Sequence, residues 1–485
     1  MSVLKHRQID WSVPQRCLLL GVAGSGMRAL AEILYQAGHT VFGADITYND
    51  GPKVAGPDST GTAPLTNNVH LLPWMDPNPA VTIDSCVCSP AIPESAVLRT
   101  WIQQRSIPEI SLHAAVSAAF AERSQICIAG THGKSTTSSL LAWMLHCSGA
   151  DPGVFVGAQL NSSAPAGFAQ HGGHYGRGPV AVIEACEFDC SFLQLQPGHI
   201  ILNGIDCDHF DSVDAEDSAY LQFLRKVPGD GCAFVNAACP RSMSLSAAAG
   251  VNTVSWTLDD VPGDWSGRIT HTGPGHMTVR IRHGQQCFGS LKIPLSGRHN
   301  ARNLLGATVA AVHMGMTAVQ CQTALNGFPG VKRRLHNRGS CRGMSMLDDY
   351  AHHPTAVKTT LSTVRQQFPE RRIRVVFEPH QMVRLQRSRK QFTQALSLAD
   401  QVVVLPVFPA RETISVANCH RTSRDLAATI CDLGTPAVFA DGVNSVVSII
   451  EQTGRSEDVF LTMGAGTVHQ IHDEVHRRFR RDSAA

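Results

Sequence analysis

A chain of 485 residues exceeds what one hydrophobic core organises, so two or three domains of about 100 to 200 residues each are expected. Its 43% hydrophobic and 16% charged residues are the balance of a folded soluble protein and exclude extended disorder. The 41 basic and 39 acidic side chains nearly cancel to +2, which excludes a bulk field directed at nucleic acid or an anionic membrane.

The N-terminal MSVLKHRQIDW carries charge where a leader peptide needs an apolar stretch, and no run of about 18 apolar residues follows. A cytoplasmic protein without membrane insertion is therefore expected. The first segment opens with the apolar strand RCLLLGV, turns through GVAGSGM and continues as a helix whose Met27, Leu30, Ile33 and Leu34 share one face. A second strand, TVFGAD, ends at Asp45, as in a dinucleotide-binding unit. The glycines are Gly21, Gly24 and Gly26, in the order G-x-x-G-x-G and not G-x-G-x-x-G. This segment reads as a doubly wound domain for a diphosphate-bearing ligand, ahead of a nicotinamide cofactor. The pair Cys86 and Cys88 fits alternate faces of a strand, and the 15 cysteines are expected as reduced thiols.

The second segment begins at QICIA, a short β-branched strand, followed at once by GTHGKST (130–136) and a stretch of helical spacing that stops at Gly149. A strand feeding a glycine loop at a helix N-terminus presents free backbone N–H groups and the positive dipole end to a phosphate. Lys134 adds a point charge and Ser135 a hydroxyl able to reach Mg2+. VAVIEA places Glu184, and HIILNGIDCDH places Asp206, Asp208 and His209, at strand C-termini, where ligands bind in open parallel sheets. Residues 250–295 alternate like antiparallel strands and are expected to form a smaller sheet.

From MSMLDDYAHHP onward strands and helices alternate again, predicting a third doubly wound domain. The C-terminal HDEVH departs from the zinc-protease pattern, because Glu474 does not directly follow His472, and reads as a surface helix. The fold class expected is thus α/β in three domains: residues 1–122, 123–335 and 336–485.

Taken together, GxxGxGM, GTHGKSTT, IEACEFDCSFLQLQP, DCDHFD, SGRHNARN, GVKRRL, DDYAHHPT and PHxxxR resemble the Mur ligases in order and spacing, over nearly the whole chain. These are ATP-dependent amide-forming enzymes of peptidoglycan precursor synthesis. The motifs are most similar to those of the member that joins L-alanine to the muramyl carboxylate of UDP-N-acetylmuramate through an acyl phosphate. The resemblance implies an N-terminal Rossmann-like domain for the UDP-sugar, with Gly21, Gly24, Ser25, Gly26, Asp45 and Ser89 at its ligand. It implies a central ATPase domain in which Gly130, Thr131, His132, Gly133, Lys134, Ser135, Thr136, His299, Asn300 and Asn303 meet ATP. Ser135, Glu184 and His209 match ligands of Mg2+; Arg334 and Asp349 match residues that bring the C-terminal domain onto ATP. Tyr350, His352, His380 and Arg384 match the side that receives the amino acid. Lys134, Glu184, His209, His352 and Arg384 are the expected catalytic group.

Departures from the family pattern are Cys186 and Phe188 in place of Asp and Ser, Gly204 in place of Asn, Ala23 for glycine, and Gln381 and Gln386 for Arg. They leave open a sibling ligase that takes a murein tripeptide, glycine or serine, and a non-catalytic UDP-sugar binder. Monomer and homodimer are both compatible with the sequence.

Overall fold

The computed structural model describes residues 9, 11–46, 68–76, 79–161, 168–206, 210, 212–258, 261–410, 412 and 414–482. They form two compact units, one built from the chain up to Val331 except Thr272–Gly275 and carrying two sheets, the other built from Lys332 onward together with Thr272–Gly275 and carrying a third. Among the described residues no helix is long and apolar enough to cross a membrane.

The first sheet is wholly parallel, with strands β1 (Arg16–Leu20), β2 (Thr40–Ala44), β3 (Val69–Leu71), β4 (Ser85–Cys88) and β5 (Glu109–Ser111) in the order β3-β2-β1-β4-β5. Order reverses at β1, and the turn after β1 opens the helix Ser25–Gln36 at that switch point. The strands are short apolar runs because helices cover both faces. Cys17, Cys86 and Cys88 fill this core, and burial pushes each thiol above its ordinary range, so all three are packing groups.

The second sheet has ten strands: β6 (Ser124–Ala129), β7 (Gly153–Phe155), β8 (Gly173–His174), β9 (Val180–Glu184), β10 (Pro197–Leu202), β11 (Cys232–Asn236), β12 (Thr253–Thr257), β13 (Trp265–Gly273), β14 (His276–His283) and β15 (Gln286–Ile293). Their order is β15-β14-β13-β12-β11-β10-β6-β9-β7-β8. The alternating strands near the end of this segment extend the parallel sheet through a short β12–β13 pairing, Trp256 with Trp265 and Thr257 with Ser266. β14 and β15 then pair antiparallel.

The first two sheets share one core, in which Leu19, Leu30 and Val116 pack in the same apolar cluster as Ile183, Ile200 and Val235. At their seam the helix Ser25–Gln36 meets β8 so closely that a Cβ on Gly173 would lie 2.0 Å from the Ala29 carbonyl oxygen. Only glycine fits there. Glu32, on the same helix and 9% exposed, accepts from the backbone N–H of His171 (3.1 Å) and Gly173 (3.3 Å). Gln36 accepts from Tyr175 N at 2.8 Å.

The second unit contains β16 (His336–Cys341), β17 (Met344–Asp349), β18 (Ile373–Glu378), β19 (Gln401–Val404), β20 (Ala437–Phe439) and β21 (Val459–Gly464), ordered β16-β17-β21-β18-β19-β20. Only β16 runs antiparallel to its neighbour. The central β18 and β21 are buried along their full length and read as near-continuous apolar runs. The last helix, Ile471–Asp482, corrects the surface reading of HDEVH. His472 is fully buried, its Nε2 is 2.8 Å from Thr462 Oγ1, and that hydroxyl donates to Asp348 Oδ1 at 2.7 Å. Burial lowers His472 to about 3, so the ring is neutral in this pocket.

Burial raises the Glu32 carboxyl from 4.5 to about 7, and the two N–H donors oppose that only in part. A group raised on folding stabilises fully below its unfolded value, and that contribution is lost as pH rises through the folded value. Glu32→Gln is therefore expected to remove on the order of 3 kcal/mol of the decline in stability between pH 4.5 and pH 8, read as a flatter melting temperature against pH. Parallel wild-type and variant profiles would contradict this.

Candidate active site

β6 delivers the chain into the loop 130–133, and the helix Lys134–Cys147 starts directly after it. Gly133, at φ +80°, is the N-cap, and a Cβ there would come within 2.2 Å of Asn303 Oδ1. This left-handed position and its close neighbour both require glycine. Thr131 N donates to Gly204 O (2.9 Å), and the Thr131 hydroxyl donates to Asp206 O (2.8 Å) and accepts from Asp206 N (2.7 Å). His132 Nε2 lies 3.4 Å from the Asp206 carboxylate. The loop is thus preshaped by the end of β10.

An asparagine does stand beside Gly204, at position 203. Asn203 Nδ2 donates to His132 O (3.3 Å) and to Thr137 Oγ1 (3.0 Å), while Gly204, at φ +149°, turns the chain so that its carbonyl meets Thr131. Asn303 donates to Asn300 Oδ1 (3.3 Å), and both are buried on the helix Arg298–His313, which also carries His299 and packs against the loop helix. Asn303 lines the loop and does not cap its own helix.

Ser135 Oγ donates to Glu184 Oε1 at 2.9 Å, and Glu184 Oε2 accepts from Gly157 N at 2.8 Å. A hydroxyl and a carboxylate side by side at the mouth of a phosphate loop are hard oxygen donors of the kind Mg2+ takes, and they fit that ion. His209 and Asp208 lie outside the described residues. Thr136 is buried in the first turn of the helix.

Lys134 Nζ donates to Gly130 O (2.7 Å) and Thr131 O (3.3 Å), and it pairs with both carboxylate oxygens of Glu187, at 2.8 and 3.0 Å. Burial pushes this ammonium down, but the charge and hydrogen bond of Glu187, together with Cys186 and Glu184, outweigh it and hold the group above its ordinary value. Glu187 was not among the sequence candidates. Its side chain is 1% exposed and is turned inward by a 3-10 segment in which Asp189 and Cys190 take left-handed φ of +55° and +52°. The glutamate after Cys186 in EACEFD was its only sequence signal.

In the first sheet Asp45 Oδ2 accepts from Ala23 N at 3.0 Å, so this carboxylate braces the glycine turn from inside, 8% exposed. Gly21, at φ +87°, lies against Ser89, whose Oγ accepts from Ala91 N at 3.3 Å. Gly24 caps the helix on which Ser25 and Gly26 form the first turn. Ala23 in the glycine position therefore contributes through its backbone.

In the second unit Asp349 ends β17 and accepts from Leu335 N (2.7 Å), Ala351 N (2.9 Å) and Thr360 Oγ1 (3.2 Å). Arg334 lies 5.3 Å over the Tyr350 ring. His352 Nδ1–H donates to Tyr350 O at 2.9 Å, and its ring meets those of Tyr350 and His380 edge-on. Burial, reinforced by Arg384, lowers His352 to about 3. Arg384 Nη1 is 3.2 Å from His380 Nδ1. Tyr350, His352, His380 and Arg384 thus form one cluster at the C-terminal ends of β17 and β18.

Residues 128–311 match the Mur ligase middle domain and residues 333–466 the Mur ligase, glutamate ligase domain. A UDP-N-acetylmuramate--L-alanine ligase of Lawsonia intracellularis is 31% identical over 93% of this chain and 96% of its own. One of Desulfitobacterium hafniense is 28% identical over 95% and 99%. Among solved structures, the UDP-N-acetylmuramate-alanine ligase of Thermotoga maritima superposes with a TM-score of 0.79, at 21% identity over 96% of this chain and 100% of that one. A murein peptide ligase of Psychrobacter arcticus superposes at 0.71, with 24% identity over 96% and 98%. The chain belongs to the Mur ligase family.

Removing one partner of a buried pair strands the other charge at a cost of about 3 to 5 kcal/mol. Glu187→Ala is expected to lower the unfolding free energy read from urea melts by that order, and Glu187→Met with Lys134→Met to cost less than Glu187→Ala alone. A double variant as unstable as the sum of the two singles would show that the pair is not coupled.

Proposed function

We propose that this chain joins L-alanine to the muramyl carboxylate of UDP-N-acetylmuramate, with ATP converted to ADP and phosphate, as a step of peptidoglycan precursor synthesis. The convergence of Lys134, Ser135 and Glu184 on a glycine loop at a helix N-terminus carries the reading, because it is a site built for a transferring phosphoryl group. The family relationship and the named function of the relatives support the substrates.

The residues divide the work as follows. Backbone N–H groups of 133–136 cradle the phosphates of ATP, and Lys134 exchanges the Gly130 and Thr131 carbonyls for phosphate oxygens. Ser135 and Glu184 hold Mg2+, with His209 as the family's further ligand. When bound, Mg2+ neutralises phosphate oxygens that would otherwise repel the acceptor carboxylate. His299, Asn300 and Asn303 are the first unit's further groups for the nucleotide, and Arg334 and Asp349 are the groups of the second unit that the family resemblance assigns to ATP.

The muramyl carboxylate attacks the γ-phosphorus, ADP leaves, and the acyl phosphate is attacked by the amine of L-alanine, releasing phosphate. UDP-sugar contacts fall to Gly21, Gly24, Ser25, Gly26 and Ser89, with Asp45 bracing their turn. Arg384 receives the alanine carboxylate. His352, neutral and with Nδ1–H engaged by Tyr350 O, offers the Nε2 lone pair to the amino group; its low basicity makes it an orienting acceptor and not a strong base. The regions 1–122, 123–335 and 336–485 thereby take UDP-sugar, ATP and amino acid.

Phosphate release with ATP, Mg2+ and UDP-N-acetylmuramate is expected to rise chiefly on adding L-alanine, and less with glycine, L-serine or the murein tripeptide. Stimulation by another amine alone would move the substrate; no stimulation by any would favour a UDP-sugar binder. Lys134→Ala is expected to fold and to lose about 10² to 10³ in turnover, the scale for one electrostatic stabiliser. Near-normal turnover would overturn the phosphate-loop assignment.

A further inference from the structure

The short helix Met382–Arg387, which carries Arg384, starts from Gln381 with φ +68° and ψ 130°, a conformation that L-residues rarely adopt. A six-residue helix has few internal hydrogen bonds, and its first N–H groups have no acceptor within it. Both liabilities are met by Phe408 and Glu412, which lie outside the motifs that pointed to the site.

Phe408 N donates to Pro379 O at 2.8 Å, and Gln381 N donates to Phe408 O at 3.0 Å, a parallel bridge that locks the backbone on either side of His380. The Phe408 ring faces that of His380, 15° from parallel with centroids 5.9 Å apart. Glu412 then closes the helix start, its carboxylate accepting from Met382 N at 2.5 Å and Val383 N at 3.1 Å. Glu412 N is itself tied to Pro409 O at 2.9 Å. Two residues on, Arg384 meets His380 Nδ1.

We propose that Glu412, aided by Phe408, is a positioning residue for amino-acid recognition: its carboxylate holds the strained start of the Arg384 helix and thereby sets where Arg384 and His380 face the substrate. The inference rests on the reading that these two residues receive the amino acid. Glu412 acts through backbone N–H groups, so the acceptor oxygen matters more than the negative charge. That separates this role from direct contact with the substrate ammonium, which would need the charge.

The test is steady-state kinetics of phosphate release by the full chain, with ATP and L-alanine varied in turn. Glu412→Ala is expected to raise the KM for L-alanine about tenfold, the scale of a lost cap acting on an oriented group, with the KM for ATP within about twofold. Glu412→Gln, which keeps one of the two acceptor oxygens, is expected to raise the L-alanine KM by less than Glu412→Ala and to leave the KM for ATP within about twofold. Should Glu412→Ala not fold, Phe408→Leu keeps the backbone bridge and removes the ring over His380, and it is expected to raise the L-alanine KM alone. An unchanged L-alanine KM, or equal rises for both substrates, would overturn the proposal. Glu412→Gln failing as badly as Glu412→Ala would replace it with a direct charge contact. A wild-type chain that no amine stimulates would remove the functional reading first, and this inference with it.

Discussion

The Lys134 ammonium sits in a place where a charge is tolerable only if every donor is used. Two loop carbonyls and the Glu187 carboxylate use them. Much of the central sheet serves that arrangement: β6 ends where the loop must begin, β9 brings Glu184 beside Ser135, and the turn after it folds Glu187 inward. The cost of desolvating the lysine is offset by a partner that is equally desolvated. A phosphate entering the loop therefore meets a cation already stripped of water, for which the exchange of ligands replaces the more expensive step of dehydration.

The loop itself is shaped from outside. Gly133 approaches Asn303, and Thr131 is held by Gly204 and Asp206, so its path is dictated by β10 and by the helix Arg298–His313 as much as by its own glycines. Preorganisation of this kind spares the bound state the entropy of ordering a glycine-rich segment.

Features that rest on local spacing were legible in the sequence. The strand, loop and helix around Lys134, the switch-point turn of the first sheet and the alternating strands of the second unit all emerge from periodicity and glycine placement. Features created by distant partners were not. The hydrogen bonds that hold Asp45 against the Ala23 N–H and Asp349 against Leu335 N, Ala351 N and Thr360 could not be read from the sequence. That Asn203 donates into the loop while Gly204 turns the chain at φ +149° is likewise invisible in the motif letters. His472 reads as exposed because the helix is rich in charge, yet its one buried face docks against Thr462. Glu187 and Glu412 escape because each is defined by what it holds and not by the letters around it.

The seam at Gly173 and Glu32 has a consequence for how such a chain changes over evolutionary time. Because a side chain at Gly173 would strike the backbone at Ala29, and the two sheets share one apolar cluster, neither sheet can drift or be exchanged by gene fusion without the other. The portion from Lys332 onward has apolar clusters of its own. Recombination therefore has a natural cut at that border, where the second unit can be replaced while the first, with both its sheets, is inherited whole.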